Sequence, residues 1–137
     1  MTENRSAAND EPPSRAAVWG GRVMSGFACL FLAVDATMKV LQRPEAVQGT
    51  VELGYPASVL LGLRTVQVVC LAAYLWTRTA VLGAVLWTGY LGGAVATHVR
   101  LEHPWLSHSL FPVWVAVLLW GGLWLRDRRV RAVLPVR

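Results

Sequence analysis

Charge is scarce in this chain. Only 15% of its 137 residues are Asp, Glu, Lys or Arg, against roughly 25% in an average soluble domain. That shortage excludes an ordinary water-facing surface. Cysteine is scarcer still: Cys29 and Cys70 both fall inside apolar runs. They form no C-x-x-C pair and have no zinc spacing, so each reads as a small buried apolar side chain rather than a redox or metal-ligating thiol. Missing too are a G-x-G-x-x-G loop, a P-loop and a serine-centred nucleophile motif. A haem-bearing pair of spans needs histidines deep in facing helices, whereas His98, His103 and His108 all lie near one end of their apolar runs. No metal, haem, flavin or nucleotide site is therefore expected.

What is present is apolar. Hydrophobic residues make up 55% of the chain, with seven Trp and twelve Gly, residue types favoured in membrane spans and at their interfaces. The length allows one domain. Residues 1–17, "MTENRSAANDEPPSRAA", are polar and without apolar period, and read as a disordered tail. Glu3, Asp10 and Glu11 set this tail apart from the n-region of a secretory signal, so no cleavage is expected. Four apolar runs follow, at about 18–40, 56–75, 80–99 and 105–125. At ~1.5 Å rise per residue each reaches ~30 Å, one hydrocarbon thickness. The connection "WTRT" (Trp76 to Thr79) is short enough to demand a tight antiparallel hairpin, and Leu41 to Tyr55 is the one sizeable loop, with Pro44, Gly49 and Gly54 as helix breakers. The expected fold is an all-α integral membrane bundle of four helices over 18–125, closed by a basic tail at 126–137. A soluble bundle would need a polar face on every helix, and "AVLGAVLWTGYLGGAVA" has none.

The net charge of +5 reads as basic residues flanking spans, not as a nucleic-acid footprint. With four spans both termini share a side. That side holds Arg5, Arg15, Arg22, Arg78, Arg126, Arg128, Arg129, Arg131 and Arg137, against Lys39, Arg43 and Arg100 on the other. Positive charge stays inside, so the expectation is a multi-pass protein of the plasma membrane with both termini cytoplasmic.

Two features inside the spans call for an account. Gly89, Gly92, Gly93 and Ala96, three or four residues apart, form a small-residue strip of the kind that lets helices in lipid approach closely. Packing inside the bundle is the expected role, and self-association the alternative. The other feature is a set of polar residues toward the outer end. Asp35 lies ~7 Å inside the first span and Arg64 ~12 Å inside the second, with Gln67 a turn deeper. Lys39 follows Asp35 at i+4, while His98 and Arg100 end the third span and His103 and His108 open the fourth. An ionisable group inside a span is costly unless paired and often marks function. In one reading Asp35 neutralises Lys39 and Arg64, and the cluster fixes helix register. In the other, Asp35, Lys39, Arg64, Gln67, His98 and Arg100 line a cavity for a polar head group, with His98 a candidate proton donor. The inner half is expected to be almost wholly apolar.

The Asp35/Lys39 pair, "LGYP" at Leu53 to Pro56, "RTAVLGAVLWTGYLGGAVATHVR" and "FPVWVAVLLWGGLWLRDRRVRAVLP" resemble the DoxX-like family of small four-span membrane proteins, from about Trp19 to Pro135. The resemblance implies a four-helix bundle of bacterial envelopes. It also implies a link to quinone-associated sulfur oxidation, to oxidative-stress membrane complexes or to membrane assembly. Gln67 stands where many relatives carry an acidic residue, and Arg64 lies one turn earlier, which weakens any transfer of acid/base chemistry to the second span.

Two functions from different classes fit these observations. One is an accessory or anchoring subunit of a redox or stress-related membrane complex, holding a membrane or soluble redox partner protein or anionic lipid through the strip and the basic tail, or another copy of itself. The other is a quinone- or lipid-head-group-binding oxidoreductase component, with a quinone as the candidate cofactor. A transporter would need broken helices or an inverted repeat, and neither is evident.

Overall fold

The computed structural model describes residues 12–134. Most of the expected N-terminal tail, including Arg5, and Arg137 of the basic tail lie outside the described residues. Helix α1 (Arg15–Val40) starts earlier than the apolar run itself, because the Ser14 side chain caps it by accepting from the Ala17 N–H at 3.1 Å. Next come α2 (Pro44–Glu52), a 3₁₀ turn (Ala57–Val59) leading into α3 (Leu60–Leu75), then α4 (Ala80–Arg100). A π-helical turn (Trp105–Ser109) leads into α5 (Phe111–Arg126), and α6 (Arg128–Val133) closes the described chain. The described residues contain no strand.

Four of these segments are long and apolar enough to cross a membrane: Arg15–Val40, Ala57–Leu75, Ala80–Arg100 and Trp105–Arg126. Their outward faces are as apolar as their inward ones. Leu30 and Trp114 are 65% and 63% exposed, and Phe27, Leu61 and Leu82 are exposed with them. Such a surface suits lipid and not water. Inside, Trp87, Tyr74, Leu119 and Leu123 are fully buried. α1 packs chiefly on α5, α3 on α4, and α4 on α5, giving an antiparallel bundle. Arg15 and the end of α5 therefore share one end, the terminal end, while α2 and the π turn sit at the other, the distal end.

Three helix ends stop the same way. At α1, α2 and α4 the N–H of the second residue past the cap reaches back to a carbonyl five residues earlier: Arg43 to Met38, Tyr55 to Thr50 and His103 to His98, at 3.0–3.2 Å. The residue between adopts a left-handed conformation, at Gln42 (φ 49°), Gly54 (φ 82°) and Glu102 (φ 53°). This termination satisfies carbonyls that would otherwise be orphaned.

Some expectations need correction. The segment after α1 is not an irregular loop. Pro44 starts α2 instead of breaking it, since its missing N–H is free of cost at the first helical position, and Glu45 lies favourably in the first turn. Gly49 sits within the helix, and only Gly54 ends it. The basic segment after α5 is itself helical over Arg128–Val133. α6 folds back, burying Val130. Arg131 donates to the carbonyls of Trp124 and Leu125 at 2.8 Å and lies over the Trp124 ring, 5.5 Å from its centroid. A cation thus meets the negative end of the α5 dipole.

The half at the terminal end, expected to be almost wholly apolar, is not. Tyr74 donates its hydroxyl proton to the Leu119 carbonyl at 2.8 Å, so Ser25 must donate to the Tyr74 oxygen, 2.9 Å away. The close helix approaches are here as well. A Cβ built on Gly122 would lie 2.2 Å from Ser25 Oγ, and one on Gly21 would lie 2.7 Å from the Gly122 carbonyl. Gly83 abuts the backbone of Tyr74 in the α3–α4 hairpin, where a Cβ would come to 2.3 Å. The strip at Gly89, Gly92, Gly93 and Ala96 is exposed, and a Cβ on any of its three glycines would meet nothing within 4 Å. Within the chain, those glycines make room and do not bring helices together.

The two kinds of glycine respond oppositely to a methyl group. Gly122→Ala should destabilise the bundle by about 1–3 kcal/mol through overpacking. Gly89→Ala should leave stability unchanged or raise it by about 0.5–1 kcal/mol through lower unfolded-state freedom. Thermal midpoints of the purified variants in one detergent check both. Equal loss in the two would refute this distinction.

Candidate functional site

The distal half of the bundle holds a cavity of about 460 Å³, within the range usual for small-molecule sites. All four long segments contribute to its wall. Phe31 from α1 and Phe111 from the head of α5 meet edge to face, with ring centroids 5.0 Å apart. Leu63, Leu91 and Val115 add apolar wall from α3, α4 and α5. Gly89 and Gly93 also line the cavity and are themselves exposed. Counted from Arg100, they lie ~16 Å and ~10 Å below the distal end at a helical rise of ~1.5 Å. With no side chain at either position and no neighbour within 4 Å of a built Cβ, the wall at that depth is left wide.

The polar side of the cavity is built around Asp35. The Lys39 ammonium reaches its Oδ2 from one turn along the same helix. Gln67 Nε2, from α3, donates to the same oxygen at 2.6 Å. Gln67 is 0% exposed and its Oε1 has no partner among the described residues. The amide orientation follows from the carboxylate, since the reverse would set oxygen against oxygen. A buried acceptor left unmade costs about 1–3 kcal/mol. Across the cavity Thr97 donates to the Gly93 carbonyl at 2.9 Å, so the Tyr55 hydroxyl, 2.8 Å from Thr97 Oγ1, must be the donor to it. Thr50 donates to the Ala46 carbonyl at 2.8 Å and Tyr90 completes the polar lining.

Above this cavity lies a second one of about 430 Å³ under α2, sharing Asp35, Lys39, Thr50, Leu53 and His98 with the first. Three histidines gather there, their ring centroids 5.2, 5.3 and 5.7 Å apart. The backbone brings them together: the termination of α4 sets His103 back beside His98, and the π turn carries His108. His98 Nδ1 and His103 Nδ1 are 2.9 Å apart, a contact that needs a proton on one of them and not on the other. Among the described residues no group of His, Cys, Asp and Glu is arranged to hold a metal ion.

Of the six candidate ligand-binding residues, Asp35, Lys39, Gln67 and His98 come together at the cavity. Arg64 and Arg100 do not. Arg64 turns to the end of α1 and donates to the Val40 carbonyl at 3.5 Å, and Arg100 donates to the Leu53 carbonyl at 3.1 Å. Each guanidinium meets the negative end of a helix, which is the cheaper neutralisation for a long side chain near an interface. Sequence reasoning missed Phe31, Thr50, Tyr55, Tyr90 and Phe111 as wall residues. Tyr55 had a signal, the "GYP" that re-enters the span, whereas the two phenylalanines are ordinary apolar residues whose role comes from the fold.

The Asp35–Lys39 pair gives a clean test of this site's electrostatics. Lys39→Met alone should cost about 0.5–1 kcal/mol, because it leaves a part-exposed carboxylate without its counter-charge. The double variant Asp35→Asn/Lys39→Met, with no charge left to neutralise, should recover most of that loss. Thermal unfolding of the three proteins reads it out. An additive double variant would remove the coupling.

The DoxX-like family model matches residues 23–122 of the chain. No curated protein and no solved structure matches it.

Proposed function

The chain belongs to the DoxX-like family, and from that premise we propose that it is a membrane-embedded binding subunit taking the head group of a lipid-dissolved amphiphile, such as a quinone or a lipid, into the distal cavity. The observation that carries this reading is the cavity itself: apolar aromatic walls, a polar floor at Asp35, Lys39 and Gln67, and a wall left wide by Gly89 and Gly93. A tail in lipid and a head at Asp35 match that division. In a redox complex the soluble partner would supply the electron-carrying group, and this chain would hold and orient the amphiphile. His98 joins the cavity to the histidine cluster above it, the route by which a proton would leave or reach a bound head.

A second reading, an accessory or anchoring subunit of a redox or stress-related membrane complex, is supported by the exposed strip at Gly89, Gly92, Gly93 and Ala96. A partner's helix, or a second copy of this chain, fits against such a strip. The two readings place different occupants at Gly89 and Gly93. For orientation, the excess of arginine at the terminal end supports a plasma-membrane protein with both termini cytoplasmic.

Native mass spectrometry of protein released gently from its own membranes tests the binding reading. The expected result is a stoichiometric small-molecule adduct on the wild type and on Arg64→Ala, whose side chain lies outside the cavity, and its loss from Asp35→Asn. A bare wild-type chain would defeat the reading, and a stoichiometric second protein in its place would favour the accessory role. For orientation, a cysteine placed in α2 should be labelled from outside intact cells, and one near Arg129 only after permeabilisation. The opposite pattern would invert the topology.

A further inference from the structure

At the terminal end, two small cavities of about 150 and 270 Å³ form a groove between α1, α3 and α5. Arg22, Tyr74, Leu75 and Arg126 line both. Neither arginine makes an ion pair with a described residue. Arg126 lies over the Tyr74 ring, 5.5 Å from its centroid, a contact that leaves its charge in place. Arg22 is exposed and has no hydrogen-bond partner among the described residues. One carboxylate, Asp127, reaches the groove. It lines only the larger cavity and accepts from the Arg129 N–H at 2.9 Å as the cap of α6. No described carboxylate lines the smaller cavity, so two positive charges share it without a counter-ion among the described residues.

Position along α1 adds a second observation. Arg22 stands ~10 Å from Arg15 and one turn beyond Trp19, and Trp19 and Trp76 are each 67% exposed. Exposed tryptophans at the ends of apolar spans belong to the head-group layer. An ionisable group at that level is costly unless paired. Further along the same face the character changes. Gly26, at i+4 from Arg22, is exposed with nothing within 4 Å of a built Cβ, and Leu30 one turn on is exposed too. A cation, a gap and an apolar side chain follow one another down the helix.

From this we infer that the terminal groove binds an anionic phospholipid, its phosphate held by Arg22 and Arg126 and an acyl chain lying along Gly26 and Leu30. The guanidinium fork suits phosphate oxygens, which it meets in pairs. Net charge sets the selectivity. A phosphatidylcholine head brings its own ammonium toward two guanidiniums, whereas phosphatidylglycerol brings only the negative charge. Basic pockets between spans recognise acidic lipid heads in this way. A free phosphate ion satisfies the arginines but leaves the apolar lane beside Gly26 empty. The site stands apart from the distal cavity and does not depend on what that cavity holds.

The test places the full chain in nanodiscs of equimolar phosphatidylglycerol and phosphatidylcholine with identical acyl chains. Native mass spectrometry then identifies the lipid retained on the released chain. The wild type should retain phosphatidylglycerol at least about fivefold over phosphatidylcholine. Arg22→Gln and Arg126→Gln should each bring the ratio within about twofold. Arg78→Gln, which removes the same charge at the same end but outside the groove, should keep the wild-type ratio. Because Arg22 is exposed and without a partner, its replacement leaves the bundle folded, and an unchanged thermal midpoint verifies this. A wild type without enrichment overturns the inference, and means that Arg22 reaches water instead. Equal loss in Arg78→Gln also overturns it, by reducing the preference to the diffuse charge of that end. Displacement of the retained lipid by excess inorganic phosphate overturns the choice of a phospholipid and makes the groove a site for a free anion.

Discussion

A carboxylate inside a membrane-length apolar helix is costly unless neutralised, and much of the distal half of this bundle is arranged around that fact. Asp35 collects Lys39 from its own helix and Gln67 from the neighbouring one. The first contact neutralises the charge, since an unpaired ion at that depth is far costlier than a paired one. The second ties α1 to α3 on the side of the bundle where helix contact is sparse. It also fixes which way the Gln67 amide faces. One ion thus draws side chains from two helices to the edge of the cavity between them.

The two halves of the bundle solve the packing problem differently. At the terminal end Gly21 and Gly122 let α1 and α5 come into backbone contact, Gly83 does the same in the α3–α4 hairpin, and Tyr74 locks the centre by bonding Ser25 and the Leu119 carbonyl. At the distal end Gly89 and Gly93 leave space instead, and the helices stand apart around a cavity. α2 covers its outer mouth through Thr50 and Leu53, with Tyr55 just beyond the helix. A closely packed half and a hollow half in one bundle suit the proposed binding site, whose wall must keep its shape.

Helix ends do more than stop helices here. The terminations of α1, α2 and α4 return the chain sharply at the distal end, with Gln42 and Glu102 accepting left-handed backbone where glycine is usual. That geometry sets His103 beside His98 and aims the short α2 across the mouth. The long cations settle at the remaining carbonyls: Arg64 on Val40, Arg100 on Leu53, and Arg131 on Trp124 and Leu125. The carboxylate, with its shorter side chain, stays with the cavity.

Much of this was legible without coordinates. Four runs of apolar residues at membrane length, a hairpin forced by four connecting residues, and an acid paired with a base at i+4 follow from periodicity, length and the cost of charge in lipid. These are local properties, read along one helix at a time. Which face of α4 its glycines occupy, whether Arg64 meets Asp35 or the Val40 carbonyl, and whether Pro44 breaks a helix or begins one were decided only by the tertiary structure. The physical reason is the same in each case. In a bilayer both faces of every helix are apolar, so composition does not say which face turns inward. A long cation or a glycine has several destinations of similar cost until its neighbours are in place.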